Sequence, residues 1–203
     1  MNSPQLSLSR RLRKSPFETR SHLGATRASV YNHVVLPTVY ESLEADYWHL
    51  REHVQIWDVA CQVQVEVRGP DALRFVEYLT PRDVSKCVPG QCIYAPLLDE
   101  HAGVVNDPII LCLSADRYWL SISDSDVLLW AKGLAVGGGF DVEVQDPDVF
   151  PLSLQGPKSE TLLSRLITEP VEDIRFFRFI HTRIDNIDLV VARTGWSGQG
   201  GFE

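Results

Sequence analysis

The segment 62–79 places the tightest limit on the fold. Val63, Val65 and Val67 alternate with Gln62, Gln64 and Glu66, which is the two-residue period of a strand. Arg68-Gly69-Pro70-Asp71 breaks that pattern and puts a proline where a helix starts. From Ala72 to Leu79 the period is helical, with Leu73, Val76 and Leu79 facing inward. Residues 149–163, VFPLSLQGPKSETLL, repeat the order strand, Gly-Pro, helix. This marks a possible internal duplication of a strand–turn–helix unit, although ordinary turn chemistry would also produce both copies.

Other stretches fill in the class. Leu43, Tyr47, Leu50, Val54 and Trp57 fall on one helical face, which predicts a helix over Thr38 to Trp57, capped by Ser42 or Thr38. Strands are expected at 93–98, 104–112, 118–123 and 140–144, with a helix over 125–136 that ends at Gly137-Gly138-Gly139. The apolar run 187–193 reads as a central strand. Adjacent strands pair as hairpins, so the expected class is α+β: mixed, largely antiparallel sheets with packed helices.

Composition excludes several functions. The chain has 203 residues, enough for one large domain or two small ones, and 44% of them are hydrophobic, enough for a core. A net charge of −8 argues against general affinity for nucleic acid phosphates. No apolar run approaches the ~20 residues of a membrane helix. Cys61, Cys87, Cys92 and Cys112 form no C-x-x-C pair, so they are expected to be reduced and mostly buried in a cytoplasmic protein. Arg10, Arg11, Arg13 and Lys14 precede the first acid, Glu18; this resembles a transit peptide, but a basic surface arm over residues 1–20 is preferred, followed by one domain over 21–203. The chain stops inside TGWSGQGGFE, and truncation is the expectation.

Few residues announce chemistry. His49 and His53 fit the H-x-x-E-H spacing of a zinc helix, but they flank the expected apolar face and have no third ligand, so no metal is assigned. Gly156-Pro157-Lys158-Ser159 lacks the upstream glycine of a phosphate loop and reads as a helix start. Asn106-Asp107-Pro108 interrupts an apolar strand, where Asp107 is equally a turn residue or a functional acid. Among Tyr94, Trp119, Phe176, Phe177 and Trp196, the last sits between Gly195 and Ser197 in a flexible turn and is the one placed to meet a flat or cationic ligand.

The strings YAPLLDEHAGVVNDPIIL (94–111), LSLQGPKS (152–159) and ARTGWSGQGGFE (192–203) resemble the folate-binding aminomethyltransferase family, typified by the glycine-cleavage T-protein. Within it, residues 9–20, 36–59 and 118–135 look most like the dimethylsulfoniopropionate demethylase branch. The resemblance implies a methyltransferase that moves a methyl group from a small sulfonium donor to tetrahydrofolate. The alternatives are a glycine-cleavage aminomethyltransferase, an aromatic O-demethylase and an inactive folate-binding fragment. By the same resemblance, Asp107 is the acid near the reacting folate nitrogen and Glu203 bonds the pterin ring. Tyr94 and Trp196 line the folate site, and Ser121 and Ser123 lie on a strand beside it. Phe176 and Phe177 fall where the family places aromatics near the substrate. A small-molecule methyl donor, no nucleic acid, no membrane and a possible homodimer complete the expectation. Family members continue into a C-terminal domain that this chain does not contain.

Overall fold

A computed structural model describes residue 7 and residues 9–203. Helix α1 (Glu18–Ser21) precedes the hairpin β1 (Arg27–Tyr31) and β2 (Val34–Val39). Helix α2 (Leu43–Glu52), β3 (Gln55–Asp58), β4 (Gln64–Arg68) and α3 (Ala72–Leu79) follow. Five short strands come next: β5 (Cys92–Tyr94), β6 (Leu97–Leu98), β7 (Val104–Asn106), β8 (Ile109–Ser114) and β9 (Arg117–Ser121). After α4 (Val127–Gly138) come β10 (Glu143–Gln145), β11 (Leu152–Gln155) and α5 (Ser159–Leu163). A 3₁₀ turn at Val171–Asp173 leads to the hairpin β12 (Phe179–Ile184) and β13 (Ile187–Ala192), and β14 (Gly201–Phe202) closes the order.

The α+β class is correct. The central sheet runs β10-β4-β9-β8-β5, and every neighbouring pair is antiparallel. Alternation splits its side chains between two cores. Val65, Val67, Ile110, Cys112, Tyr118 and Leu120 pack on one face against Phe75, Val76 and Leu79 of α3 and Val127 and Ala131 of α4. Cys92, Ile109 and Leu111 pack on the other against Phe179 and Ala192 of the β12–β13 hairpin. A third cluster joins Leu163, Ile167, Val171 and Ile174 to Val191 and Phe202 beside the sheet β14-β11-β3.

The two Gly-Pro units share their geometry. Gly69 accepts from Ala72 N–H at 3.0 Å and Gly156 accepts from Ser159 N–H at 3.0 Å. Asp71 and Lys158 then accept the next helical bonds, from Phe75 and Leu162. Each glycine also abuts the backbone that leads into the antiparallel partner strand, at Asp141 before β10 and at His53 before β3.

Three expectations need correction. The helix predicted over 38–57 is shorter: Ser42 Oγ accepts from Ala45 N–H at 3.1 Å, and the helix ends at Glu52. Residues 55–58 are instead a strand, because β11 offers them a ladder. The apolar stripe is not a core face either, since Leu43 is 69% and Tyr47 50% exposed. The run 187–193 is not central; β13 forms a two-stranded sheet with β12, and Ile187 is exposed. The strand predicted at 93–98 divides, with β5 pairing with β8 and β6 with β7. Residues 1–6 and 8 of the basic arm lie outside the described residues; within the rest, Arg13 donates to Asp146 at 2.6 Å.

All four cysteines are free thiols, and burial pushes Cys61 up to about 11 and Cys92 up to about 12. No helix among the described residues is long and apolar enough to cross a membrane.

Glu66 is the polar anchor of the central sheet. It is 1% exposed, and it accepts from Trp119 Nε1 at 2.8 Å, Gln145 Nε2 at 2.8 Å and Arg117 Nε at 2.6 Å. Burial penalises its charge, but the bonds from Gln145, Trp119 and Arg117 outweigh that penalty and hold the carboxyl below the usual carboxylate range. A carboxyl held low in the folded state contributes stability above the ordinary Glu value of about 4.3 and loses it as pH falls through the folded value. Glu66→Ala should therefore lower the unfolding free energy by about 3 kcal/mol at neutral pH, because it leaves the half-buried Trp119 and Gln145 donors unpaired and empties a buried site. The gap to wild type should narrow on acidification below about pH 4. Urea unfolding at neutral and acid pH measures both effects.

Candidate functional site

Asp107 occupies a change of partner. Strand β7 ends at Asn106 paired with β6, Pro108 has no N–H for a ladder, and β8 resumes at Ile109 between β5 and β9. The carboxylate therefore projects from a break between two sheets. Its Oδ2 accepts from the Tyr94 hydroxyl at 3.1 Å and its Oδ1 accepts from Ser123 Oγ at 2.5 Å. Tyr94 ends β5, where its backbone faces Ile109, so the β5–β8 register brings its ring to the acid. Burial, and then the Asp107 carboxylate, push the Tyr94 hydroxyl up, which keeps it a donor.

The Tyr94 ring meets Trp196 edge to face, with centroids 5.6 Å apart and planes at 72°. The indole is 65% exposed. Acid, phenol and indole thus form one contiguous set on an open face.

The turn that carries Trp196 is built on Gln155, which is 1% exposed. Its Nε2 donates to the carbonyls of Thr194 and Phe202, each at 3.3 Å, and its Oε1 accepts from Ser197 Oγ at 2.6 Å. Gly195 lies against this amide at φ +140°, and a Cβ there would sit 2.4 Å from Gln155 Nε2. Glu203 joins the same turn: Oε2 accepts from Thr194 Oγ1 at 2.5 Å, and its backbone pairs with Ala192 in both directions at 2.8 Å. Burial pushes the Glu203 carboxyl up, against the donated bonds of Thr194 and Ser153.

The remaining candidates are placed less directly. Ser121 Oγ accepts from Gln64 Nε2 at 2.8 Å, so it braces the strand floor rather than Asp107. Phe177 packs on the Cys92–Ile109–Phe179 cluster and accepts through its carbonyl from Cys92 N–H at 2.9 Å. Phe176 is 69% exposed and touches the Phe177 ring edge to face. Trp119 is committed to Glu66. His53 Nδ1 faces Lys158 Nζ at 2.5 Å, and no group of three metal-ligating side chains occurs among the described residues. An open cleft of about 400 Å³ lies elsewhere, between Arg68, Gly69, Asp116 and Asp141, and its Arg68 is already paired with Glu143.

Residue-by-residue reading missed Gln155 and the amide of Asn106. Each carried one local signal, an uncharged polar residue directly beside a motif position. Gly195→Ala should cost about 2–3 kcal/mol, because strain at positive φ adds to the clash with Gln155. Gly198→Ala, where a Cβ meets nothing within 4 Å, should cost about 1 kcal/mol. Thermal unfolding of the two variants tests the contrast.

Comparison with known proteins places the chain in a family. The family model described as GCVT N-terminal domain matches residues 16–203. Dimethylsulfoniopropionate demethylase DmdA of Ruegeria pomeroyi is 50% identical over 96% of this chain and 54% of its own. An aminomethyltransferase of Halalkalibacterium halodurans is 34% identical over 83% of this chain and 47% of its own. The crystal structure of glycine cleavage system aminomethyltransferase T from Bartonella henselae has the same fold, with a TM-score of 0.82 at 24% identity over 94% of this chain and 52% of that one. The chain spans about half the length of these curated relatives. With nearly every residue from 16 onward inside the match, this chain belongs to the GCVT N-terminal domain family.

Proposed function

We propose that this chain is the folate-binding part, over residues 21–203, of an enzyme that moves a methyl group from a small sulfonium donor to tetrahydrofolate, with dimethylsulfoniopropionate as the donor. The single observation that carries the reading is the contact chain Ser123–Asp107–Tyr94–Trp196, which sets a fixed carboxylate beside two aromatic rings. Identity of 50% to a dimethylsulfoniopropionate demethylase supports that donor.

The residues suit a reduced pterin. Carboxylates at Asp107 and Glu203 are acceptors for its N–H groups, and the exposed Trp196 indole offers a flat face. Tetrahydrofolate, when bound, supplies the N5 lone pair that displaces a neutral thioether. Asp107 would stabilise the positive charge that develops there and take up the N5 proton. Tyr94 and Ser123 hold the carboxylate plane, which is an orientational contribution. Tyr94 and Trp196 would also attract a sulfonium through their ring faces. The leaving thioether needs no proton, consistent with a site that presents acceptors rather than a second acid.

Asp107→Asn in the protein at its natural length should lower kcat/KM by roughly 10²–10³-fold, the usual cost of losing one group that stabilises transition-state charge. Formation of 5-methyltetrahydrofolate from dimethylsulfoniopropionate measures it. Wild-type protein that ignores this donor but acts on an aminomethyl-lipoyl carrier would move the assignment to aminomethyltransferase. Preference for a neutral aryl ether would move it to O-demethylase. Folate binding without turnover of any donor would leave a binding domain.

A further inference from the structure

The bonds that hold Asp107 continue past Ser123. Ser123 lies beyond the end of β9 and has no ladder partner of its own. It is held by Asn106, which is 4% exposed and directly precedes the acid, and by Ser125, whose N–H donates to the Ser123 carbonyl at 3.0 Å. Asn106 Oδ1 accepts from Ser123 N–H at 3.0 Å. Asn106 Nδ2 donates to the Ser123 carbonyl at 3.1 Å and to Ser125 Oγ at 2.8 Å, and that hydroxyl in turn donates to Val105 O at 3.3 Å. One side-chain amide therefore grips both backbone groups of Ser123 and ties the 123–125 segment to β7. From outside, the β1–β2 turn closes on the same segment: Asn32 N–H donates to Asp124 Oδ1 at 2.8 Å, and Asp124 N–H donates to the Tyr31 hydroxyl at 3.1 Å.

We propose that Asn106 is a positioning residue that acts through Ser123: by holding that residue's backbone, it aims the Ser123 hydroxyl at Asp107 Oδ1 and so fixes the plane of the carboxylate. The inference rests on the reading of Asp107 as the group that faces the methyl acceptor. A serine hydroxyl in an unladdered segment has three staggered choices, and only a fixed backbone selects one. A carboxylate bonded at both oxygens, by Tyr94 and by Ser123, is held in one plane; with one oxygen released it turns about its own axis. Such pre-orientation affects turnover more than binding, since a misplaced group still attracts its ligand but meets the developing charge badly.

Two measurements on the protein at its natural length test this. Amide hydrogen exchange at Ser123 reads the grip without any reaction: Asn106→Ala should accelerate it by about tenfold or more. Unchanged exchange in the folded variant overturns the proposal. Kinetics read the consequence: Asn106→Ala should lower kcat roughly 10- to 100-fold with KM for tetrahydrofolate within about threefold. In a Ser123→Ala background the same change should add less than about twofold. Losses that simply multiply would show that Asn106 does not act through Ser123, and overturn the proposal. Ser125→Ala removes one acceptor of the amide without opening the core; it should cost about threefold in kcat, again only when Ser123 is present. If Asn106→Ala fails to fold, that variant decides the question, and independent losses in it overturn the proposal. Wild-type protein that transfers no methyl group would sink the function reading alone, because the exchange measurement still decides the grip.

Discussion

Pro108 has no N–H to give a ladder, so the strand begun at Val104 cannot keep one partner along its length. It pairs with β6 up to Asn106 and with β5 and β9 from Ile109 onward. Of the two residues between those pairings, the one before Pro108 belongs to neither sheet and turns its side chain outward while its backbone stays anchored on both sides. That residue is Asp107. The antiparallel β5–β8 register delivers Tyr94, and the return of β9 delivers Ser123. The acid is thus held by two side chains, 13 and 16 residues away in sequence, on either side of its own strand.

The central sheet is covered on both faces, which explains why its strands mix large apolar residues with buried polar ones. The helix side is filled by Val65, Val67, Ile110 and Leu120, all fully buried. The hairpin side carries Gln64, Glu66, Trp119 and Ser121 among Ile109 and Leu111. A buried polar group is tolerated only when bonded. Glu66 satisfies this with three donors, and Gln64 with Ser121. The polar side of the sheet therefore serves as a rigid floor whose outer margin presents Tyr94.

What the amino-acid sequence discloses is what local geometry decides. Val63, Val65 and Val67 and the two Gly-Pro turns could be read because their cause lies within a few residues. The acid at 107 and the indole at 196 stood out because each violates its surroundings, a charge in an apolar strand and a large ring between small residues. The helix expected over 38–57 is too long because Val54 and Trp57 happen to continue a helical spacing, while β11, almost a hundred residues later, claims residues 55–58 for a ladder. Asn106 and Gln155 do not disclose their roles for a related reason. Their partners lie 17 and 39 residues away, and an amide gives no sign of which distant backbone it will bond.

Gln155 touches both ends of the glycine turn with a single amide nitrogen, at Thr194 and at Phe202. The segment between them is consequently a closed loop with a fixed waist. Its mouth cannot widen without breaking that amide's bonds. Variation in what this surface accommodates is therefore channelled into the identity of the tip residues, while residue 155 sets the span they must bridge.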